Sequence, residues 1–466
     1  MLPAVVAVMA IVTHDHASLR SEPRDASARL ATLWQGDVVE VRGEKLGFVS
    51  VYDHRRERGG YLREWQIQRY PLDSSVAPEL ASIVRFLRPQ PGSEAVGIAH
   101  AALYLKVAEA QAIDASIFDA IGAMADRLAR RASGKASDET LSAHLEVVQS
   151  YGIGFRTVEN EEAQRLCYDG SAFQQVLALG GTPEQRLLAV SVLSRPECAP
   201  RSTEAERLAF DQRRVELAEK VDPTNLPPHL AGRWRLLRAS ARAALAFDRA
   251  RQDQPEEAMA LAEEALRALA SVDPKSLADD DQALYQEAAL RVGAARPLSE
   301  VAVAPARPKL MLRVDPGRSP GERALFLVTE SGVSYGPHYT FSVPIPSSAE
   351  LLPGRPELAV AVMPLEGWRE LWLLAPGADH HLELRVLSAS TEGPALGYVE
   401  LAGTSPDGSK LAVAREAREK SLFLKRFEIV DRAGLSVDKG ASAPGALTAF
   451  YRWQSPKWRE RTVSLR

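Results

Sequence analysis

Histidines, cysteines and clustered carboxylates are the residues of this chain whose types could do chemistry, and their spacing limits what that chemistry would be. On a strand, His14-Asp15-His16 would put two imidazoles on one face, but a metal ion would need a third or fourth ligand from elsewhere. The three residues read as a surface loop. His380-His381 follows Gly377 in a hydrophilic stretch and reads as a hairpin tip. Asp279-Asp280-Asp281 lacks the spacing of a calcium loop and precedes a helix beginning near Gln282, where negative charge complements the helix dipole. Gly134 to Ser137, with Lys135, is too short for a phosphate-binding loop and reads as a turn before a helix over 139–150. No His-Glu-x-x-His pair and no dinucleotide-binding glycine fingerprint occurs. The sequence therefore names no catalytic residue, no metal ligand set and no cofactor.

The two cysteines bear on the compartment. Cys167, in Arg165-Leu-Cys-Tyr-Asp-Gly, and Cys198, in Arg195-Pro-Glu-Cys-Ala-Pro, both sit beside turn residues. A bridge between them would close a loop of about 32 residues and contribute about 3–4 kcal/mol by the chain-entropy estimate. It would also imply an oxidising compartment such as a bacterial periplasm. Two free thiols in a cytoplasmic protein are the alternative.

Composition bounds the partners. With 57 basic and 61 acidic side chains in 466 residues, the net charge of -4 leaves no electrostatic footprint for nucleic acid or an anionic membrane. The clusters His54-Arg55-Arg56-Glu57-Arg58 and Lys457-Trp458-Arg459-Glu460-Arg461 carry acidic breaks and read as solvated surface. No stretch is long enough to span a bilayer; the longest apolar run is Leu2 to Val12. That run reads either as a first strand, with Val6, Val8 and Ile11 partly buried, or as the apolar middle of an export signal whose basic head lies upstream.

At 45% hydrophobic and 25% charged, a chain of this length is expected to form about three domains. The fold class is multidomain α+β: a small β-barrel over 1–70, an α-helical hairpin body over 78–297, and an antiparallel β domain over 309–466. Pro71 to Pro78 and Gly293 to Pro308 are the linkers. In the body, Met259, Leu261, Ala262, Leu266 and Leu269 return at helical spacing between Pro255 and Asp273-Pro274. Val-Asp-Pro-x-x-Leu at 221–226 recurs at 272–277, each copy between amphipathic helices, as stacked hairpins would require.

Three resemblances attach to these segments. Ser18-Leu-Arg-Ser-Glu-Pro23, Leu33-Trp-Gln-Gly-Asp-Val-Val-Glu-Val41, Gly47-Phe48-Val49 and Gly60-Tyr61-Leu62 resemble the successive strands of a bacterial SH3-like domain, with Phe48 and Tyr61 where that family usually has tryptophan. The resemblance implies a small barrel that binds cell-wall peptides or protein partners in an aromatic groove, here lined by Tyr52, Tyr61 and Trp65; rings that only complete the barrel core are the alternative. Pro255 to Pro274 resembles the second helix of a tetratricopeptide repeat, although the recurrence is too widely spaced for that family. Gly403-Thr-Ser-Pro-Asp-Gly-Ser-Lys-Leu resembles the blade turn of TolB-type or WD-type propellers, which leaves a partial propeller or a sandwich for the last domain.

The functional expectation is an exported, non-enzymatic bacterial protein that contacts a cell-envelope protein or peptidoglycan. The alternative is an enzyme whose dispersed active site sits where the helical and β-rich segments meet.

Overall fold

A computed structural model describes residues 7–135, 137–159, 164–199, 203–300, 309–420 and 422–461. The opening of the Leu2–Val12 run, Ala136 and the 301–308 half of the second linker lie outside them. The chain divides into two compact units, one comprising 1–203 with 219–222, the other 204–218 with 223–466. No helix among the described residues is long and apolar enough to cross a membrane.

Unit 1 opens with β1 (Val8–Val12), β2 (Ala17–Arg20), β3 (Arg29–Leu33), β4 (Val38–Lys45), β5 (Phe48–Asp53), β6 (Arg58–Arg63) and β7 (Ile67–Pro71). All are antiparallel in the order β3-β2-β6-β5-β4-β1-β7. Alternate residues turn inward, so that Val12, Leu19, Leu33, Val39, Val49, Val51, Leu62 and Ile67 form one core to which both ends of the sheet contribute. Gly60 permits the tight curl, since a Cβ there would meet Leu19 at 2.7 Å. The expected closed barrel is not formed. The terminal strands β3 and β7 do not pair, and β2 meets β6 through the single pair Arg20–Tyr61.

Nor do residues 1–70 stand apart. Ile11, Trp34 and Tyr70 belong to a second core built with α1 (Ala77–Leu87), α2 (Glu94–Val107), α3 (Ala115–Ala132) and α4 (Glu139–Gln149). The Tyr70 hydroxyl lies 3.1 Å from His100 Nε2, the Tyr151 hydroxyl donates to the Gly36 carbonyl, and Gly36 at φ +89° comes so close to α2 that a Cβ would meet the Ala95 carbonyl at 2.6 Å. The unit continues through the hairpin β8 (Phe155–Glu159) and β9 (Gln164–Tyr168) to α5 (Ser171–Ala178) and α6 (Pro183–Leu193). Thr182 and Gln185 close a capping box at α6, with Pro183 in the first turn. Cys167 on β9 is disulfide-bonded to Cys198, which lies in the turn after α6, with Cα atoms 6.0 Å apart.

Unit 2 holds α7 (Glu204–Glu219, all but its last residue), α8 (Pro228–Arg251), α9 (Pro255–Ala270) and α10 (Gln282–Ala295). The helical stretch expected as one body over 78–297 is thus split between the units. Leu236, Ala239 and Ala243 of α8 pack on Ala265 and Leu269 of α9 and on Ala288, Ala289 and Val292 of α10. On α9 the fully buried residues are Ala258, Ala262, Ala265 and Leu269, while Met259, Leu261 and Leu266 stay half-buried. Small side chains take the closest position because the facing helix is itself alanine-rich.

The remaining strands form a three-stranded sheet and a nine-stranded sheet, the latter made of two antiparallel groups joined by a short parallel pairing, so that there are three groups in all. The first is β10 (Leu310–Pro316), β11 (Arg323–Thr329) and β12 (Ser334–Thr340). The second is β13 (Val343–Pro344), β14 (Glu350–Leu351), β15 (Leu358–Leu365), β16 (Trp368–Pro376) and β17 (Leu382–Leu387). The third is β18 (Leu396–Thr404), β19 (Lys410–Glu419), β20 (Leu422–Asp431) and β21 (Val437–Ala441). Leu312, Leu325 and Leu327 meet Val360, Val362 and Trp372 between the first two groups. Leu371 and Leu373 meet Val399, Leu411 and Val413 between the second and third. The outer face of the third group, with Tyr398, Ala412 and Phe427, is covered by Phe247 of α8, Leu290 of α10, Phe450 of α11 (Thr448–Trp453) and Trp458 of α12 (Pro456–Arg461). The expected Pro406-Asp407-Gly408 turn is present, and Arg432 ties it down by donating to the carbonyls of Gly408 and Pro353 while its Nε binds Glu357 at 2.6 Å.

Because the disulfide lies wholly within unit 1, Cys167→Ser/Cys198→Ser is expected to lower the stability of that unit by about 3–4 kcal/mol. Urea unfolding followed for both units should show one transition moved and the other unmoved; equal displacement of both would contradict the assignment.

Candidate functional site

Tyr52 and Tyr61 fall on the outer side of the first sheet, because Val49, Val51 and Leu62 on the same strands point inward. Around Tyr52, the Arg42 guanidinium lies 4.0 Å from the ring centroid and His54 stands edge-on at 4.9 Å, with His54 Nε2 2.8 Å from Glu40. Trp65 is not on that strand face. It sits in the 3-10 turn Glu64–Gln66, 64% exposed, with His14 edge-on to its ring at 5.0 Å. The structure therefore brings together two of the three groove candidates and sets the third on the following turn.

Two stretches read as surface are largely exposed, and each is anchored to the interior through one residue, Asp15 in the first and Arg56 in the second. Asp15 accepts from the Gln35 amide and lies 2.7 Å from Nε2 of His144, a buried residue of α4, so His14-Asp15-His16 helps fasten the sheet to the helices. No group of His, Cys, Asp or Glu suited to a metal occurs among the described residues. In the basic tip, Arg56 donates to Asp53 at 2.8 Å and to both oxygens of Asp37 at 3.2 Å, two carboxylates that are themselves buried. A buried carboxylate must be paired, and the tip supplies the pairing. His380 and Asp379, both at positive φ, do lie in the exposed turn between β16 and β17.

Unit 2 contains a densely charged pocket at the point where its second and third strand groups part. β16 and β18 run parallel only through Trp368–Gly397 and Arg369–Tyr398 and then diverge. The gap holds a half-open cavity of about 70 Å³ walled by Ala361, Leu371, Val399 and Trp458. That is room for about two water molecules at liquid density.

Glu400 of β18 forms its base. One carboxylate oxygen accepts from Arg296 Nη2 at 3.0 Å and Arg369 Nη2 at 2.9 Å, and the other accepts from the Trp458 indole at 2.7 Å. Arg296, in the turn after α10, is also paired with Glu300. Burial alone would raise the Glu400 pKa, but the two guanidinium groups outweigh it and hold the carboxyl at about 2. The two arginines diverge. Burial lowers both, yet Glu400 and Glu300 together carry Arg296 above its ordinary value, whereas burial and the neighbouring Arg296 leave Arg369 below. Arg369 is 1% exposed, and its Nε and Nη1 have no hydrogen-bond partner among the described residues.

This arrangement holds charge rather than moving protons. Glu400 is committed to three donors, Ser348 donates to the Ile345 carbonyl while accepting from the Ala361 amide, and Ser455 accepts from the Trp458 amide. Sequence reading missed Glu400, Arg369 and Trp458. The available signal was a single acid inside the apolar strand Leu396–Thr404; Trp458 was hidden by its charged neighbours. It also missed Gly332-Val333-Ser334-Tyr335-Gly336, which has the spacing of a hydrolase nucleophile elbow. Here that motif is the β11–β12 hairpin and no helix follows, while the nearby His338 packs edge-on to Trp372, so the strand–turn–helix context of an elbow is missing.

Asp248 of α8 is another strongly perturbed acid in unit 2. Burial, reinforced by Asp211 and opposed by Arg207, raises it to about 7. A raised folded pKa stabilises below the unfolded value and is lost as pH rises through the folded one. Unit 2 should therefore lose stability between about pH 4 and pH 8, and Asp248→Asn should flatten that slope in denaturation curves measured across the range. At the pocket, Glu400→Ala strands the buried Arg369 guanidinium and takes from Arg296 one of its two acids, and should cost about 3–5 kcal/mol in urea unfolding. A loss under about 1 kcal/mol, the value of a surface pair, would contradict the burial argument.

No family model, no curated protein and no solved structure matches this chain.

Proposed function

We propose that this is an exported protein that acts by contact rather than by catalysis, and that its recognition surface is the outer side of the N-terminal sheet. The observation that carries the reading is the ladder Glu40, His54, Tyr52 and Arg42 on that side, with Tyr61 on the adjacent strand and Trp65 fully presented on the turn beyond. Rings that combine apolar area with a polar handle and flanking charge suit a peptide or glycopeptide partner, such as a cell-envelope protein or peptidoglycan. The Cys167–Cys198 disulfide supports an oxidising compartment, of which the bacterial periplasm is the one proposed. On this reading the open seven-stranded sheet is an SH3-like module that has exchanged closure for a helical partner, and the three stacked strand groups of unit 2 are blades of an incomplete propeller. An enzyme with a dispersed active site would have to use the pocket at Glu400, where helical turn and strands meet. There the acid is already spent on three donors.

Deleting residues 1–70 would uncover the core around Trp34 and Tyr70, so the test uses surface substitutions in the full chain. Tyr52→Ala/Tyr61→Ala/Trp65→Ala is expected to abolish capture of envelope proteins and of purified peptidoglycan that the unaltered chain captures, with its circular dichroism unchanged. Retention of every partner by the triple variant would overturn the proposal.

A further inference from the structure

The pocket of unit 2 has a feature that fold stability does not account for. Arg369 is enclosed as completely as any apolar core residue, yet only one of its three nitrogens is used, and the oxygen it binds is shared with Arg296. A buried N–H left without an acceptor is costly, so such a group is either satisfied by something in the adjoining cavity or selected against. The cavity adjoins it. Around that space the acids of the interior are committed, Glu400 to three donors and Glu300 to Arg296, and apart from Glu350 at the rim the uncommitted groups are donors. They are the remaining N–H groups of Arg369 and the ammonium of Lys457, which stands exposed on α12 and makes no ion pair among the described residues. Donors without acceptors call for a ligand that brings acceptor oxygens and negative charge.

Two further observations narrow the class. The volume of about 70 Å³ admits a group of a few heavy atoms and no more. Glu350, exposed at the same rim, repels a second negative charge. The walls, Ala361, Leu371 and Val399 with the Trp458 ring across from them, are apolar and suit a short hydrocarbon stem. We propose that this pocket binds a small monocarboxylate, free or as the end of a larger molecule, with its oxygens on Arg369 and Lys457 and its stem against Trp458. The proposal is independent of the reading of the N-terminal sheet.

Trp458 is a built-in reporter, one of 7 tryptophans, and it already hydrogen-bonds the carboxylate at the base of the site. The test is a fluorescence titration of the full chain with sodium acetate and sodium propionate against sodium chloride at matched ionic strength, with a parallel series in sodium phosphate. A saturable change is expected with the two carboxylates and not with chloride, absent in Trp458→Phe. Lys457→Glu, a surface change that leaves the fold intact, should weaken binding roughly tenfold, the effect of one well-placed charge. Arg369→Met should abolish binding; where that variant does not fold, Lys457→Glu and Ala361→Leu, which fills the cavity, carry the test. No saturable change with either carboxylate, or a change that survives Lys457→Glu and Ala361→Leu undiminished, would overturn the proposal. Phosphate binding as tightly as acetate through the same residues would overturn the monocarboxylate assignment.

Discussion

A single buried carboxylate, Glu400, organises the pocket end of unit 2. Its two oxygens draw together the turn after α10 through Arg296, strand β16 through Arg369 and the short helix α12 through Trp458. Ionised carboxylates are expensive to bury, and this one is tolerated because cationic and neutral donors surround it on both oxygens. The same requirement explains why the second and third strand groups separate where they do. β16 and β18 stay paired just long enough to bring Arg369 beside Tyr398 and Glu400, and the space left as they part becomes the pocket.

Unit 1 obeys a different constraint. A seven-stranded sheet that curls around eight or so inward side chains does not fill both of its faces, and Ile11, Trp34 and Tyr70 bury the remainder against helices. Polar fasteners follow the apolar contact: Asp15 with His144, the Tyr151 hydroxyl with the Gly36 carbonyl, Arg55 with Glu146. The cost of this shared core is independence, since the strands cannot be removed without exposing it. The gain is that the outer face of β5 and β6, with Tyr52 and Tyr61, is left for other contacts.

Much of the local structure was legible in the sequence. The helices over 77–87, 115–132, 139–149 and 255–270 follow apolar periodicity and end at Pro, Gly or capping residues, and those signals act over single turns. Strands rich in Val, Phe and Leu, such as 48–53, 358–365 and 422–431, were equally plain. What escaped was whatever depends on a partner distant in sequence. The paired strands 155–159 and 164–168 carry Arg156, Glu159 and Arg165, and 396–404 is broken by Gly397, Glu400 and Gly403, so neither shows a clean alternation. Trp458 lies between Lys457 and Arg459 and looks solvated until Glu400 is placed beneath it. Arg56 likewise reads as surface because the acids it neutralises, Asp37 and Asp53, had no signature of burial in the sequence. The cysteine pair is the exception, a long-range contact made visible by there being only two thiols to join.

The account rests on Glu400 and Arg369 forming a coupled buried pair and not two separately tolerated charges. The direct measurement is a double-mutant cycle on unit 2 stability with Glu400→Gln, Arg369→Met and the two combined. The account predicts that the double variant is at least about 2 kcal/mol more stable than the sum of the single losses implies, because Glu400→Gln leaves Arg369 without a counter-charge, a cost that vanishes once Arg369 is also removed. Additive losses, within about 0.5 kcal/mol, would contradict it.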